Sequence, residues 1–284
     1  MRLVLGSLLV SLLTTIGVTV AGSPAHADPL PLPTSPFGDP TGANDWDCRP
    51  TARRPEPVII VHGTFGDRKS LLDNLSAAMV AKGFCVFSLD YGNRGTGDIV
   101  ASAKVLKRFT NRVRAATGAA KVSMVGHSQG GMMPRYYIKF LGGARVVDDL
   151  VGLSPSNHGT SVTGSGGDST AQPGGFCQAC SQQAAGSAFL TRLNKGDETP
   201  GRVSYTQIST RYDEVVVPYT SAFLAKGPRT TNITIQDVCP GDLAEHVFIP
   251  MSRTAIAFTL NALTRRGPAD PAFRPTCGTG VPGA

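Results

Sequence analysis

The chain has 284 residues, of which 41% are hydrophobic and 17% are charged, and its formal net charge is +7 at pH 7. This length allows one α/β domain or two small ones, with ample residues for a large core. The basic residues are scattered along the sequence and are not clustered with aromatic residues, which favours a solvated cationic surface over a nucleic-acid interface. We therefore expect no nucleic-acid partner.

The first 27 residues have the organisation of a secretory signal. Arg2 precedes an apolar stretch over residues 3–20, and Ala25-His26-Ala27 fits an Ala-x-Ala cleavage site. We expect residues 1–27 to be a signal peptide, the mature chain to start at Asp28, and the protein to be secreted and extracellular. The alternative is an N-terminal membrane anchor. No later segment approaches the roughly 18 consecutive apolar residues that span a bilayer, so we expect no stable membrane span.

The remaining chain alternates between strand and helix patterns. Residues 28–56 are proline-rich and lack periodicity, which predicts an extended arm on a single domain of residues 28–284. A continuous apolar run predicts a buried parallel strand at 57–61, and further strands are predicted at 84–89, 121–125, 149–153, 203–209 and 232–238. Amphipathic stretches predict helices at 67–83, 98–118, 132–141 and 252–264. This alternation indicates an α/β fold, with a mostly parallel sheet and helices on both faces.

One connection is unusually long and poor in large apolar residues. It covers residues 159–183 and is rich in glycine, serine and threonine. Long connections of this kind are commonly functional or mobile, which predicts a lid or a pocket wall. A plain surface insertion is the alternative.

All six cysteines follow residue 27, and an even number in an exported chain predicts disulfides. Spacing alone favours one local pair, Cys177–Cys180. This C-x-x-C motif has two alternative interpretations, a redox pair and half of a metal site. The sequence has no second C-x-x-C and no histidine near this one, and the motif ends a loop instead of opening a helix after a strand. We therefore expect a structural bridge and no metal.

The segment Gly126-His127-Ser128-Gln129-Gly130 fits the pattern G-x-S-x-G and follows a β-branched run. A serine in this pattern lies on a tight turn between a strand and a helix, with its hydroxyl exposed. The alternative is a glycine-rich turn with an incidental serine. We predict that Ser128 is a nucleophile.

A nucleophilic serine needs a base, and the base needs an anion that fixes its tautomer. In folds with this turn the order along the chain is serine, acid, histidine. His246 is the histidine that lies far downstream, after the last predicted strand, and it is the predicted base. Asp213 follows the strand at 203–209 and is the predicted acid, with the adjacent Glu214 as its rival.

The tetrahedral intermediate of acyl transfer also needs donors for its oxyanion. One predicted donor is the backbone N–H of Gln129, the residue after the nucleophile. The other is Thr64, in the loop after the first strand, which offers a backbone N–H and a hydroxyl.

With these motifs in place, the chain resembles the secreted lipases of actinobacteria within the α/β-hydrolase superfamily, and more distantly lipase B of the yeast Candida antarctica. The resemblance runs over most of residues 45–280. It depends on the triad candidates and on several short motifs, which are Val61-His62-Gly63-Thr64, Gly126 to Gly131, Pro134-Arg135, Asn157-His158-Gly159-Thr160 and Cys177-x-x-Cys180.

The resemblance implies an α/β-hydrolase fold, hydrolysis of acylglycerol esters by the triad Ser128, Asp213 and His246, and no metal or other cofactor. It also implies the disulfides Cys48–Cys85 and Cys239–Cys277. The segment 157–160 would line the acyl pocket.

The sequence thus predicts a secreted carboxylic ester hydrolase, and within that class a triacylglycerol lipase. Alternatives are a short-chain esterase, a polyester hydrolase, or an acyltransferase on the same fold. The expected partner is a lipid or ester substrate at an oil–water interface, and we expect the protein to be a monomer.

Overall fold

The structure is a computed structural model, and it describes residues 38–162 and 176–277. The predicted signal peptide lies outside these residues, as do residues 28–37 of the arm and 163–175 of the long connection. No helix in the described ranges is long and apolar enough to cross a membrane.

Six parallel strands form one sheet in the described part of the chain, in the order β2-β1-β3-β4-β5-β6. The strands are β1 (Val58–Val61), β2 (Val86–Leu89), β3 (Val122–His127), β4 (Val147–Leu153), β5 (Ser204–Ser209) and β6 (Thr230–Thr234). The helices are α1 (Asp73–Ala81), α2 (Gly92–Gly95), α3 (Ile99–Thr117), α4 (Gln129–Phe140), α5 (Gln178–Gln182), α6 (Ala188–Asn194), α7 (Ile235–Val238) and α8 (Arg253–Leu263).

Both faces of the sheet are covered, which confirms the predicted architecture. Alternate residues of a strand point to opposite faces. Ile59 and Val61 of β1 therefore pack in one apolar cluster with α3 and α4, whereas Val58 and Ile60 pack in another with α1 and α8. This double burial explains why β1 is a continuous apolar run in the sequence.

The described part of the arm lies along the edge strand β2. Asn44 donates its backbone N–H to Val86 O at 2.9 Å, and its side-chain oxygen accepts from the N–H of Ser88 at 2.9 Å. The ring of Trp46 packs against Phe87 with 5.0 Å between centroids. The arm therefore satisfies backbone groups that an uncovered edge strand would expose.

Most elements lie within three residues of their predicted bounds, and two differ by more. The helix predicted from Asp67 begins at Asp73, because the Asp67 carboxylate accepts hydrogen bonds from the N–H groups of Lys69 and Ser70 and Leu71 has a φ of 65°. The strand predicted at 232–238 is β6 at 230–234, and its last four residues form α7 instead. Helices α5 and α6 were not predicted by the sequence patterns.

The structure contains three disulfides, which pair all six cysteines: Cys48–Cys85, Cys177–Cys180 and Cys239–Cys277. The first joins the arm to the residue before β2. The second closes the start of α5. The third joins the end of α7 to the C-terminal tail.

Candidate active site

The carboxyl ends of parallel strands meet at one edge of the sheet, where α/β folds place their ligands. Thr64 follows β1, Ser128 follows β3, and Asp213 follows β5. His246 lies in the loop after β6 and α7. The fold therefore brings to one edge four residues that are up to 182 positions apart in the sequence.

Ser128 lies on the turn between β3 and α4 with φ 55° and ψ −124°, a conformation that L side chains rarely adopt. The turn is too crowded for side chains on either flanking glycine. A Cβ on Gly126 would lie 1.9 Å from Gly130 O, and a Cβ on Gly130 would lie 2.2 Å from Val61 O. The two glycines are thus a steric requirement of this turn.

His246 and Asp213 form a buried pair. The Nδ1 atom of His246 lies 2.9 Å from Oδ1 and 3.0 Å from Oδ2 of Asp213. The Asp213 carboxylate also accepts from the N–H groups of Val215 and Val216, at 3.1 and 2.7 Å. Burial alone would raise the pKa of Asp213, but His246 and the Val216 N–H outweigh it and hold this pKa below its ordinary value.

Glu214, the rival acid, has a different environment. Its side chain is exposed and its Oε2 accepts from the backbone N–H of His246 at 3.4 Å, not from the ring. Partial burial and the neighbouring Glu245 raise the pKa of Glu214 above its ordinary value. Of the two carboxylates, the structure places Asp213 against the ring nitrogen of His246.

A cavity of about 390 Å³ opens at this edge of the sheet. Ser128 and His246 both line it, together with Thr64, Leu71, Val215 and Val216. The described residues show no hydrogen bond between the Ser128 hydroxyl and the His246 ring, and the two residues meet as lining residues of this cavity.

Two further histidines are buried beside the site. His127 donates from Nε2 to the backbone carbonyl of His246 at 2.8 Å, and His62 donates from Nδ1 to Gly63 O at 2.7 Å. Burial is the main cause that lowers the pKa of His127 to about 3 and that of His62 to about 4. Both rings are therefore neutral at neutral pH, and His127 fixes the backbone of the loop that carries His246.

The two oxyanion candidates are in direct contact. The hydroxyl of Thr64 donates to Oε1 of Gln129 at 2.7 Å. The backbone N–H of Gln129 is at the first position of α4, where helical N–H groups have no partner within the helix and the helix dipole favours negative charge. Gln183, which sequence analysis did not single out, donates to both side chains from the opposite side.

The long connection forms part of the cavity wall where the structure describes it, with Thr160, Cys180 and Gln183 as lining residues. The expectation that the whole segment 157–160 lines the pocket is wrong. Of its four residues, Thr160 reaches the cavity. The Asn157 amide instead bonds to Ala222 O at 2.6 Å, and His158 bonds to Glu198 at 2.8 Å.

The described residues include no group of three or more histidine, cysteine, aspartate or glutamate side chains that could hold a metal ion.

Sequence comparison finds lipases. A family profile described as "Lipase (class 2)" matches residues 55–247. A triacylglycerol lipase of Pseudarthrobacter phenanthrenivorans is 36% identical over 92 residues, which cover 28% of this chain and 27% of the relative. A triacylglycerol lipase of Burkholderia plantarii is 36% identical over 92 residues, with 28% and 24% covered. The chain thus spans about a quarter of the length of these curated relatives.

Structure comparison finds the same kind of fold. The crystal structure of lipase B from Aspergillus fumigatus has a TM-score of 0.69 and 24% identity, covering 80% of this chain and 57% of that chain. The mature form of lipase BlEst2 from Bacillus licheniformis has a TM-score of 0.57 and 16% identity, covering 75% and 92%. These likenesses show the α/β-hydrolase fold.

Proposed function

Because this chain belongs to the class 2 lipase family, we propose that it is a secreted carboxylic ester hydrolase that acts on triacylglycerols. The observation that carries this proposal is the buried His246–Asp213 pair, whose histidine lines one cavity together with a serine on a strained turn. A histidine held by a carboxylate beside a serine is the arrangement that activates a hydroxyl for acyl transfer.

The proposed reaction starts with attack of Ser128 Oγ on the ester carbonyl. His246 donates its Nδ1–H to the Asp213 carboxylate, so its Nε2 is the free basic nitrogen. This nitrogen takes the Ser128 proton and then gives it to the leaving alcohol. Asp213, whose low pKa keeps it ionised at neutral pH, fixes the ring and stabilises its protonated form. Water attacks the acyl-enzyme and releases the fatty acid.

The oxyanion of each tetrahedral intermediate would lie against the start of α4. We assign the Gln129 N–H and the Thr64 N–H and hydroxyl as its donors. Donors that are already oriented act without reorganisation at the moment of reaction, which is why such groups contribute strongly to catalysis.

The apolar surroundings of the cavity support a lipid substrate. Phe65, a lining residue, is 47% exposed and stacks on Phe176, which is 62% exposed, with 6.1 Å between ring centroids. Val247 and Phe248 follow His246 and are also exposed. Exposed apolar side chains around a cavity favour contact with an apolar phase, such as an oil–water interface.

Secretion is part of the proposal. Three disulfides are typical of proteins from oxidising compartments, and the N-terminal pattern predicts cleavage after Ala27. Expression in a secreting host should release protein whose N-terminal sequence starts at Asp28. Retention of residues 1–27 on a membrane-bound product would favour the anchor alternative.

The main test is a series of initial rates on p-nitrophenyl and glycerol esters from two to sixteen carbons, with Ser128→Ala as control. Ser128→Ala should lower kcat by about 10⁴-fold or more and leave the fold intact. A maximum at long chains, including emulsified triolein, supports the lipase. A maximum at two to four carbons without emulsion activity supports a short-chain esterase or polyester hydrolase, and ester product in the presence of an added alcohol supports an acyltransferase. A Ser128→Ala variant that keeps a tenth of the activity contradicts the assignment of the nucleophile.

A further inference from the structure

Gln183 contacts the two side chains of the proposed oxyanion hole, Thr64 and Gln129. Its Nε2 has two hydrogens and three acceptors within hydrogen-bond distance, which are Thr64 Oγ1 at 2.9 Å, Gln129 Oε1 at 3.1 Å and Ala179 O at 3.1 Å. Its own Oε1 accepts from the hydroxyl of Ser156 at 2.7 Å. With the Thr64–Gln129 hydrogen bond, these contacts form a closed triangle of three side chains that are largely shielded from water.

This triangle restricts the hydroxyl of Thr64. Because Gln183 donates to Thr64 Oγ1, the hydroxyl hydrogen must point away from Gln183. Two acceptors are then open to it, which are Gln129 Oε1, as in this structure, and the oxyanion of a reacting ester.

Gln183 also donates a hydrogen bond to Gln129 Oε1, the acceptor that the Thr64 hydroxyl would leave when it turns to the oxyanion. When the Thr64 hydroxyl turns to the oxyanion, Gln129 Oε1 loses one donor but keeps the N–H of Gln183. A buried carbonyl without any donor would oppose that rotation, since a buried acceptor is unfavourable when it has no hydrogen bond. Gln183 therefore makes the reactive orientation of Thr64 accessible.

The position of Gln183 depends on a very short helix. Gln183 directly follows α5, its N–H donates to Ala179 O at 3.0 Å, and its carbonyl accepts from the N–H of Thr160 at 3.1 Å. Five residues are too few for a helix that is stable by itself. The Cys177–Cys180 disulfide closes the first turn of this helix.

We propose that Gln183 is a positioning residue for the oxyanion hole, and that the Cys177–Cys180 disulfide supports turnover through Gln183. This inference rests on the ester hydrolysis proposed above. It assigns a role to a residue that touches neither the nucleophile nor the base, and to a disulfide at the cavity wall.

The first test replaces Gln183 by Met, which keeps the length of the side chain and removes both N–H donors. Displacement of a reacting group by about 1 Å can cost about 10²-fold in rate, and direct loss of an oxyanion donor costs about 10²–10³-fold. We expect Gln183→Met to lower kcat on a soluble ester by about 10- to 100-fold, with KM within about twofold. The matched control is Gln178→Met, the same substitution at the first residue of α5, which should leave kcat within about twofold.

A tetrahedral inhibitor separates positioning from a general loss of structure. An alkylboronic acid accepts an electron pair from Ser128 Oγ while the serine proton passes to His246, and the adduct presents a negative oxygen to the oxyanion hole. Its inhibition constant should rise in Gln183→Met by the same factor by which kcat falls. A general loss of structure would instead lower the melting temperature and raise KM. The rise of the inhibition constant would then not equal the fall of kcat.

The second test is a double-mutant cycle. Cys177→Ser/Cys180→Ser should lower kcat by at least about threefold in the wild-type background and have little further effect in the Gln183→Met background. Equal effects in both backgrounds, or no effect in the wild type, would overturn the role of the disulfide.

The outcomes distinguish this inference from the proposed function. An active wild type with an unchanged kcat in Gln183→Met overturns the role of Gln183 alone. A wild type without ester hydrolysis overturns the proposed function and this inference with it.

Discussion

At the scale of single residues, Ser128 has a backbone conformation that glycine adopts far more readily. Its φ of 55° and ψ of −124° follow from the sharp reversal between β3 and α4, which two crowded glycines make possible. Strained backbone of this kind costs about 1–3 kcal/mol and persists where the surrounding structure enforces it. The hydroxyl is exposed to the cavity because of this strain.

This strain can be measured by comparing two variants without the hydroxyl. Ser128→Gly should unfold with a free energy about 1 kcal/mol higher than Ser128→Ala, because glycine relieves more strain than it loses in chain entropy. Urea denaturation of both variants at one pH gives the difference. A Ser128→Ala variant that is as stable as Ser128→Gly would show that the strain is no larger than the chain entropy that glycine loses.

Asp149 lies near the amino end of β4, away from the cavity, and its protonation gives a second prediction for a single residue. Burial, followed by the neighbouring Asp148, raises the pKa of Asp149 from its ordinary 3.8 to about 8. Between these values the folded protein keeps a proton that the unfolded chain has lost. The contribution of Asp149 to stability is therefore complete below about pH 4, falls progressively as the pH rises, and is lost above about pH 8.

Asp149→Asn removes this dependence. Relative to this variant, the free energy of unfolding of the wild type should fall by about 3 kcal/mol between pH 5 and pH 7.5, at up to about 1.4 kcal/mol per unit. Denaturant titrations of both proteins at several pH values test this prediction. The two proteins share their other titrating groups, so the contributions of those groups cancel in the difference between the two free energies of unfolding. Parallel stability curves would mean that Asp149 ionises normally in the folded protein.

At the scale of elements, the loop that carries His246 is held at both ends. Before it, the Cys239–Cys277 disulfide joins the end of α7 to the C-terminal tail. After it, Ser252 accepts from the N–H of Ala255 at the start of α8 and donates to Asp242 at 2.6 Å. A histidine that must keep one orientation thus lies in a loop with two fixed ends.

Cys239→Ala/Cys277→Ala should lower the free energy of unfolding by about 2–4 kcal/mol, because the bridge constrains a long segment of the unfolded chain. The partners are 38 positions apart in the sequence. Thermal or urea unfolding of the variant measures the loss. An unchanged midpoint would indicate that the tail does not constrain this loop in solution.

The parallel strands and the triad candidates could be predicted from the sequence because their signals are local. A continuous apolar run such as residues 58–61 marks a doubly buried strand, and the spacing of Ser128, Asp213 and His246 follows the order of strands. The start of α1 could not be predicted from its apolar spacing, because the Asp67 side chain competes with the helix for backbone N–H groups.

Gln183 could not be identified from the sequence for a different reason. Its partners Thr64 and Gln129 are 119 and 54 positions away, and no local pattern distinguishes it from the neighbouring Gln182. The contact exists only after β1, β3 and α5 have come together at the same edge of the sheet.

At the scale of the whole molecule, exposed apolar residues and clustered charge lie at different places. Among residues 38–162 and 176–277, six large hydrophobic side chains are exposed, and five of them lie at or near the cavity. They line it, stack on a lining residue, or lie within three positions of His246: Phe65, Phe176, Leu243, Val247 and Phe248. The sixth, Tyr212, precedes Asp213. Basic residues that are scattered in the sequence instead line a second cleft, together with Asp148. These basic residues include Arg53, Arg54, Lys121, Arg202, Arg229, Arg265 and Arg266.

This apolar surface should matter for emulsions more than for dissolved esters. Leu243 and Phe248 are 57% and 43% exposed and do not line the cavity. Leu243→Ser/Phe248→Ser should lower the rate on emulsified triolein by about 10-fold, since each side chain loses on the order of 1 kcal/mol of transfer into oil. The rate on a soluble ester should stay within about twofold, and an equal loss on both substrates would contradict a role in interfacial contact.

The disulfide beside Gln183 has a consequence for anyone who produces this protein. It closes only a few residues, so a chain that lacks it should fold and melt much like the complete protein. Two preparations that are indistinguishable by melting temperature can therefore differ in specific activity when one of them lacks this bridge alone. Thiol titration or intact mass would reveal this difference, and the thiol content of each batch should be known before its kinetic constants are compared.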